Sequence, residues 1–362
     1  PIWMKQMKIL VLGGTGAMGK PVVKILGARG HRVDVTTRKA RNDEGDNIHY
    51  VVGNAHDMAF LENILNEKYD AILDFMVYKP EEFRDRYIKF LENTSQYVFL
   101  SSARVYADSP DALIEESSKR LLDISKDQEF LQTNEYSLAK AREENLLLKS
   151  DSRNWTIIRP YITYYDERLQ LGVFEKETWL RRALAGKKIV FSRNIAEKYT
   201  TLTYGYDVAL RIADLIGNPK AVGQVYQIAT GKYIKWKDVL AVYLDTLEKE
   251  LGKRPEVFMT EQCDPFTEKN NQYQVHCDRE YNRKFSDAKI QQDTKETEPF
   301  MPAEKGLKMC LQNFLAGERQ FTAPVNWKRE GAMDKISGDR TPLKKIPGMK
   351  NKVKYVVYRY MK

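Results

Sequence analysis

Lys8-Ile-Leu-Val-Leu-Gly13-Gly-Thr-Gly16-Ala-Met-Gly19-Lys-Pro-Val-Val-Lys-Ile-Leu26 runs from a short apolar stretch through glycines spaced by three into amphipathic sequence. The apolar residues 8–12 predict a strand and residues 20–28 a helix, so the glycines occupy a strand-to-helix turn. Gly13 suits the tight turn, Gly16 lets backbone approach a pyrophosphate, and Gly19 permits close helix-to-strand packing. The helix N-terminus then faces the phosphates. Gly-x-x-Gly-x-x-Gly alone is a weak signal, and its placement between a predicted strand and a predicted helix is what gives it weight. We therefore expect dinucleotide binding, with Thr15, Ala17 and Met18 as further cofactor contacts inside the loop.

Working outward, residues 31–37 alternate as a second strand, which completes one βαβ unit. Further strand signals lie at 49–52, 71–76, 97–101 and 156–158, with helical stretches at 60–67, 81–93 and 134–149 between them. Strands separated by crossover helices predict an α/β fold: a Rossmann-type, doubly wound parallel sheet. After Pro160 the pattern loosens. Residues 178–185 and 236–251 read as helices, 224–229 as a strand returning to the sheet, and 261–298 as polar sequence with few apolar anchors. The expected organisation is a dinucleotide-binding domain over 7–160, a smaller C-terminal substrate-binding lobe over 161–327, and a basic tail over 328–362.

The second predicted strand ends in Thr36-Thr37-Arg38-Lys39, roughly 20 residues after the glycines, where an acidic residue would hold the ribose hydroxyls of NAD and an arginine suits a 2′-phosphate. Arg38 favours NADP and leaves NAD open; Asp34 stands too early in the strand to serve. A second string, Tyr136-Ser-Leu-Ala-Lys140, places a phenol and an ammonium on one face of a helix. A phenol is a poor base near neutral pH, and a neighbouring cation favours its phenolate. That pairing suits proton transfer coupled to hydride transfer.

Composition bounds the alternatives. The 362 residues carry a net charge of +9, but residues 328–362 hold eleven Lys/Arg against three Asp/Glu, so they supply +8 and the body is close to neutral. A general nucleic-acid-binding surface is therefore not expected. Within the tail, Val353-Lys-Tyr-Val-Val-Tyr-Arg-Tyr360 mixes aromatics with cations in a way that fits an anionic membrane surface or a polyanion; the plainer reading is a solvated extension with one short strand. No apolar run approaches the length of a membrane span, and the mean hydropathy is −0.57, so no integral membrane segment is expected. The three cysteines, Cys263, Cys277 and Cys310, read as reduced thiols of a cytoplasmic protein. No secretory signal is recognisable, and Met4 or Met7 is the expected natural start. Cys263, His276 and Cys277 match no tight zinc spacing, and no metal is expected.

Several strings then carry a family resemblance: Gly13-x-x-Gly16-x-x-Gly19, Ser101-Ser102-Ala-Arg-Val105-Tyr106, Tyr136-x-x-x-Lys140, Arg159-Pro160 and Gln224-Val-Tyr-Gln-Ile-Ala-Thr-Gly231. In order and spacing the chain resembles the extended short-chain dehydrogenase/reductases, and within them the NAD(P)-dependent nucleotide-sugar epimerase/dehydratase group. The resemblance covers about residues 7–250 and implies the following roles. Ser102 would hydrogen-bond the sugar hydroxyl being oxidised, Tyr136 would be the acid/base, and Lys140 would hold the nicotinamide ribose and favour the phenolate. Asn54 and Ala55 would contact the adenine. A homodimer is implied too, through helices that include the one carrying Tyr136 and Lys140, with Leu138, Leu146 and Leu147 serving either that interface or the core.

The departures narrow the chemistry. Sugar 4,6-dehydration needs an Asp-Glu pair directly after the catalytic hydroxyl residue, and this chain has Ala103-Arg104. The cysteine and histidine of the fucose-type epimerase/reductases are missing near Ser102. Ile162 and Thr200 replace an asparagine and an arginine that contact the nucleotide diphosphate, so Arg181, Arg182, Arg193 or Lys198 is expected to supply that charge. A nucleotide-sugar epimerase is the first expectation, with a dehydrogenase or reductase using the same residues as the alternative, and an RNA-binding protein on the same fold as the alternative from another class. Tyr161, Tyr164 and Tyr165 are expected to pack the lobe onto the sheet more than to wall the site.

Overall fold

The computed structural model describes residues 5–295 and 298–362; Met4 lies outside them. Seven strands form one sheet: β1 (Lys8–Leu12), β2 (Arg32–Thr37), β3 (Ile48–Val52), β4 (Tyr69–Asp74), β5 (Thr94–Leu100), β6 (Trp155–Pro160) and β7 (Gln224–Ile228). Every pairing is parallel, in the order β7-β6-β5-β4-β1-β2-β3. The order reverses between β1 and β4, and the crevice at the carboxyl ends of these strands is the ligand position of such a sheet.

The helices are α1 (Gly19–Ala28), α2 (Met58–Leu65), α3 (Pro80–Arg84), α4 (Tyr87–Glu92), α5 (Tyr136–Leu148), α6 (Lys176–Leu184), α7 (Gly205–Leu215), α8 (Trp236–Leu251), α9 (Ala303–Ala316), α10 (Trp327–Ser337) and α11 (Met349–Val356), besides shorter turns. Alternation along the strands sends side chains to opposite faces. Ile9, Val11, Val33 and Val35 pack with α1 and α7, whereas Leu10, Leu12, Ile72, Tyr97 and Phe99 pack with α2, α4 and the end of α5. Both faces are covered, which explains why β1 reads as a near-continuous apolar run.

The single helix expected over 81–93 is two, because the chain breaks at Asp85 and Arg86. Arg86 turns inward there and donates to the carbonyls of Ala55 (3.2 Å) and His56 (2.8 Å). β7 closes one sheet edge by pairing with β6. The lobe also holds two parallel strand pairs, 162–164 with 202–204 and 189–192 with 257–260. Its core is built on Trp179, Trp236, Tyr243 and Leu311.

Residues 328–362 are not a solvated extension with a strand. They belong to α10, α11 and a further helical turn over 357–361, docked on α6 through buried charge. Arg182 on α6 meets Glu330 at 2.7 Å, Asp334 at 2.7 Å and Asp339 at 3.1 Å.

Candidate active site

The glycine turn holds the geometry a dinucleotide requires. Gly13 has φ +72°, in the left-handed region. A Cβ on Gly19 would fall 2.6 Å from the backbone of Gly14, whereas at Gly16 it would meet nothing nearer than the Gly13 carbonyl at 3.9 Å. The space above Gly16 is thus a cradle open to an approaching phosphate. The first turn of α1 has no side-chain cap; there Lys20 donates its amide to the Gly16 carbonyl at 3.0 Å and Pro21 has no amide, so the Gly19 end of the turn is what faces an anion.

Beside it lies a cavity of about 320 Å³ lined by Gly13, Thr15, Thr36, Arg38, Asn54 and Ala55, among others, and by no carboxylate among the described residues. Five of the expected cofactor residues therefore line one hollow; Ala17 and Met18 lie on the turn itself. Asp34 is buried at mid-strand, where it accepts from the Tyr69 hydroxyl at 2.9 Å, and so stands apart from this cavity.

The second half of the site is assembled by α5. Tyr136 is its first residue and is 40% exposed, at the wall of a cavity of about 860 Å³. Lys140, one turn on, is 3% exposed; its Nζ donates to the Leu100 carbonyl at 2.9 Å and lies 5.9 Å from the Tyr136 ring centre. The ammonium thereby ties α5 to the end of β5, where Ser102 follows. The Ser102 hydroxyl accepts from the Arg104 amide at 3.1 Å and keeps its own proton to donate. Ser101, its neighbour, is structural: its hydroxyl donates to Glu144 at 2.6 Å.

Sequence reasoning passed over three groups here. Arg104, noted only as a departure from the dehydratase pattern, stands 5.6 Å from the Tyr136 ring centre and pairs with Glu135, which also accepts from the Ser137 amide at 2.8 Å. Asp74, at the end of β4, accepts from Tyr97 (2.6 Å), Tyr78 (2.9 Å) and the Met76 amide (2.9 Å). Burial pushes its carboxyl up to about 6 against those hydrogen bonds and the Lys140 charge. Glu143 is fully buried one turn beyond Lys140, with neither oxygen hydrogen-bonded among the described residues. Burial pushes it up to about 8, opposed by the Lys140 ammonium and reinforced by Asp74. The i, i+3 spacing of Lys140 and Glu143 was the available signal.

The large cavity is closed on its far side by lobe residues 269–277. Asp278 anchors that segment: it meets Arg283 at 2.9 Å, pairs with Arg279 and accepts from Tyr161 at 2.6 Å. Arg283 in turn donates to the carbonyls of Tyr106 and Ala107, just after β5. Tyr161 and Tyr164 are accordingly packing residues.

The cations expected to replace the missing diphosphate contacts lie elsewhere. Arg182 is consumed by the docked C-terminal segment, Arg193 pairs with Glu261 at 2.9 Å, and Arg181 covers Phe321. Lys198 does not line the cavity either; Arg104 and Lys269 do. Ile162 and Thr200 are buried. Leu138 and Leu147 are core residues. His276 is held by Asp264 at 2.8 Å and Glu280 at 2.9 Å.

Residues 9–229, more than half of the chain, match the model of the NAD dependent epimerase/dehydratase family. The chain belongs to that family. The glycine turn and the Tyr136/Lys140 helix fall inside the matched span.

Solved structures agree on the fold of this family member. The Bordetella bronchiseptica enzyme WbmH in complex with NAD+ is 16% identical, with 86% of this chain and 99% of that one covered and a TM-score of 0.64. The dTDP-glucose 4,6-dehydratase of Bacillus anthracis, in complex with NAD, is 18% identical over 87% and 98% of the two chains, at a TM-score of 0.63. UDP-glucose 4-epimerase from Thermus thermophilus, also with NAD, is 18% identical over 86% and 100%, at 0.61. Among curated proteins, the Arabidopsis thaliana chloroplast stem-loop binding protein of 41 kDa b is 27% identical over 245 residues, 63% of this chain and 60% of that protein. The match thus spans less than two thirds of that relative's length.

Proposed function

We propose that this family member is a nucleotide-sugar epimerase working by oxidation and reduction at one secondary hydroxyl, with Ser102, Tyr136 and Lys140 as its catalytic residues. The observation that carries this reading is the buried Lys140 ammonium fixed beside a Tyr136 ring that opens onto an 860 Å³ cavity. Ser102 orients the substrate hydroxyl, Tyr136 as phenolate takes its proton, and Lys140 favours the phenolate electrostatically. A bound nicotinamide dinucleotide supplies the hydride acceptor and donor at that carbon. Tyr136 returns the proton once the substrate has presented its other face; release of the ketone instead would make the protein a dehydrogenase, and uptake of a ketone a reductase. Of the arginine and the lysine lining this cavity, Arg104 is paired with Glu135, and Lys269, which meets no carboxylate among the described residues, is the one open to a diphosphate.

The cofactor reading is NADP. Gly13, Thr15, Gly16, Ala17, Met18 and Gly19 would hold the pyrophosphate, Asn54 and Ala55 the adenine, and Arg38 a 2′-phosphate, in a cavity where no carboxylate among the described residues stands ready for a free ribose diol. A homodimer formed through α4 and α5 belongs to the same reading and is supported by exposed Ile88 and Leu148 on those helices. So does a cytoplasmic location, supported by three unpaired cysteines. Among the described residues no helix is long and apolar enough to cross a membrane.

Turnover of a nucleotide-sugar panel with Tyr136→Phe as control tests the mechanism. A loss of about 10²- to 10⁴-fold is expected, and unchanged turnover removes Tyr136 from it. One observation favours a second reading: the curated relative's name is that of a stem-loop binding protein. Tight RNA-hairpin binding without any nicotinamide binding would establish that reading in place of the first.

A further inference from the structure

The docking of α10 and α11 sorts the charge of the C-terminal segment. Its three carboxylates all turn inward: Glu330 and Asp334 meet Arg182 and Lys187, and Asp339 meets Arg182 and Lys188. Lys335, Arg340, Lys344, Lys345 and Lys350 are left exposed on the outside, and among the described residues none of them meets a carboxylate. The outer surface is thus more cationic than the sequence balance conveys.

Apolar side chains run through the same surface. Met349, Val353 and Tyr360, at i, i+4 and i+11, are 73%, 54% and 53% exposed, and Leu343 in the preceding turn is 47% exposed. The opposite side of α11 is fixed: Tyr355 is fully buried and donates to Asp334 at 2.6 Å. A helix pinned by one face, with an aliphatic stripe on the other and lysines beside it, has the composition of a helix lying in a membrane interface. The lysines supply attraction to negative headgroups and the stripe supplies burial.

We propose that the outer face of α11 and the turn before it form a peripheral docking surface for an anionic lipid bilayer. Charge complementarity selects a polyanion, and the side chains between the lysines select lipid over nucleic acid. Methionine, valine and leucine bury into an acyl boundary, whereas single-stranded bases need aromatic platforms, and Tyr360 is the one exposed aromatic in the stripe.

The test uses the full chain and co-sedimentation with phosphatidylcholine vesicles, with and without phosphatidylserine. Binding is expected with the anionic vesicles alone and should weaken as salt is raised. Lys344→Glu/Lys345→Glu/Lys350→Glu and, separately, Met349→Ser/Val353→Ser should each reduce partitioning about tenfold. Because these side chains are exposed, circular dichroism and the unfolding midpoint should stay unchanged. The proposal falls if no binding occurs at low salt, or if the Met349/Val353 variant binds as the wild type does. It falls equally if an RNA hairpin binds through the same lysines while vesicles do not.

Discussion

Glu143 and Glu144 are neighbours on one helix, both fully buried, yet they face interiors built in opposite ways. Glu144 is satisfied on every side: Arg159 reaches both its oxygens at 2.8 and 2.7 Å, Arg120 approaches at 3.1 Å and Ser101 donates at 2.6 Å. Despite its burial, those partners hold its carboxyl below the ordinary value. Glu143 has no such partner among the described residues and rises to about 8. The difference teaches that burial alone does not decide the charge of a carboxyl; the supply of donors does. The Glu144 side is a clamp joining α5, β6 and the loop after β5. The Glu143 side is an acid reserve beneath Lys140, shared with Asp74.

The sharpest way to break this contrast is to remove the cation from the satisfied side. Arg159→Met leaves Glu144 buried with much of its compensation gone, and denaturant unfolding should show a loss of about 3–5 kcal/mol. The opposite side should respond with the opposite sign. Glu143→Gln removes a carboxylate that must ionise without partners, so at pH 9 it should gain on the order of 2 kcal/mol over wild type, while near pH 4 the difference should vanish. Equal stability of the two proteins across that range would show that Glu143 has donors after all.

The pH dependence follows from the same shifts. Glu143, raised from 4.5 to about 8, contributes stability that is complete below pH 4.5 and is lost as pH rises through 8. Asp74, raised from 3.8 to about 6, loses its contribution earlier in the same direction. Glu144, lowered, contributes stability present above pH 4.5 that is lost as pH falls below it. Thermal unfolding across pH should therefore show an acid limb owned by Glu144 and an alkaline limb owned by Glu143. Ser101→Ala is the mildest change: it should cost about 1 kcal/mol and move the acid limb to higher pH while leaving the alkaline one in place.

The sheet and the Tyr136/Lys140 pair were legible in the sequence because both rest on short-range pattern. Residues 8–12 are an apolar run at strand length, the glycines sit in the turn their backbone needs, and Tyr136 and Lys140 are related by one helical turn. What stayed hidden depends on partners far along the chain. Nothing local distinguishes Glu143 from Glu144; the distinction is Arg159, fifteen residues on and on another element. The break at Asp85–Arg86 depends likewise on carbonyls some thirty residues back. Arg181 and Arg182 read alike as candidate anion ligands, and the fate of Arg182 is set by acids about 150 residues later. Arg104 was visible as a departure, but its place beside Tyr136 needed the fold of Glu135.

The docking of α10 on α6 bears on where the polypeptide can be cut. Arg182 is only 2% exposed and is held by three carboxylates that all lie beyond residue 328. A stop codon at that point strands a guanidinium in the interior of the lobe and uncovers the underside of α6. Such a shortened protein would report on a damaged lobe, whereas charge reversal on the outer lysines leaves the clamp closed.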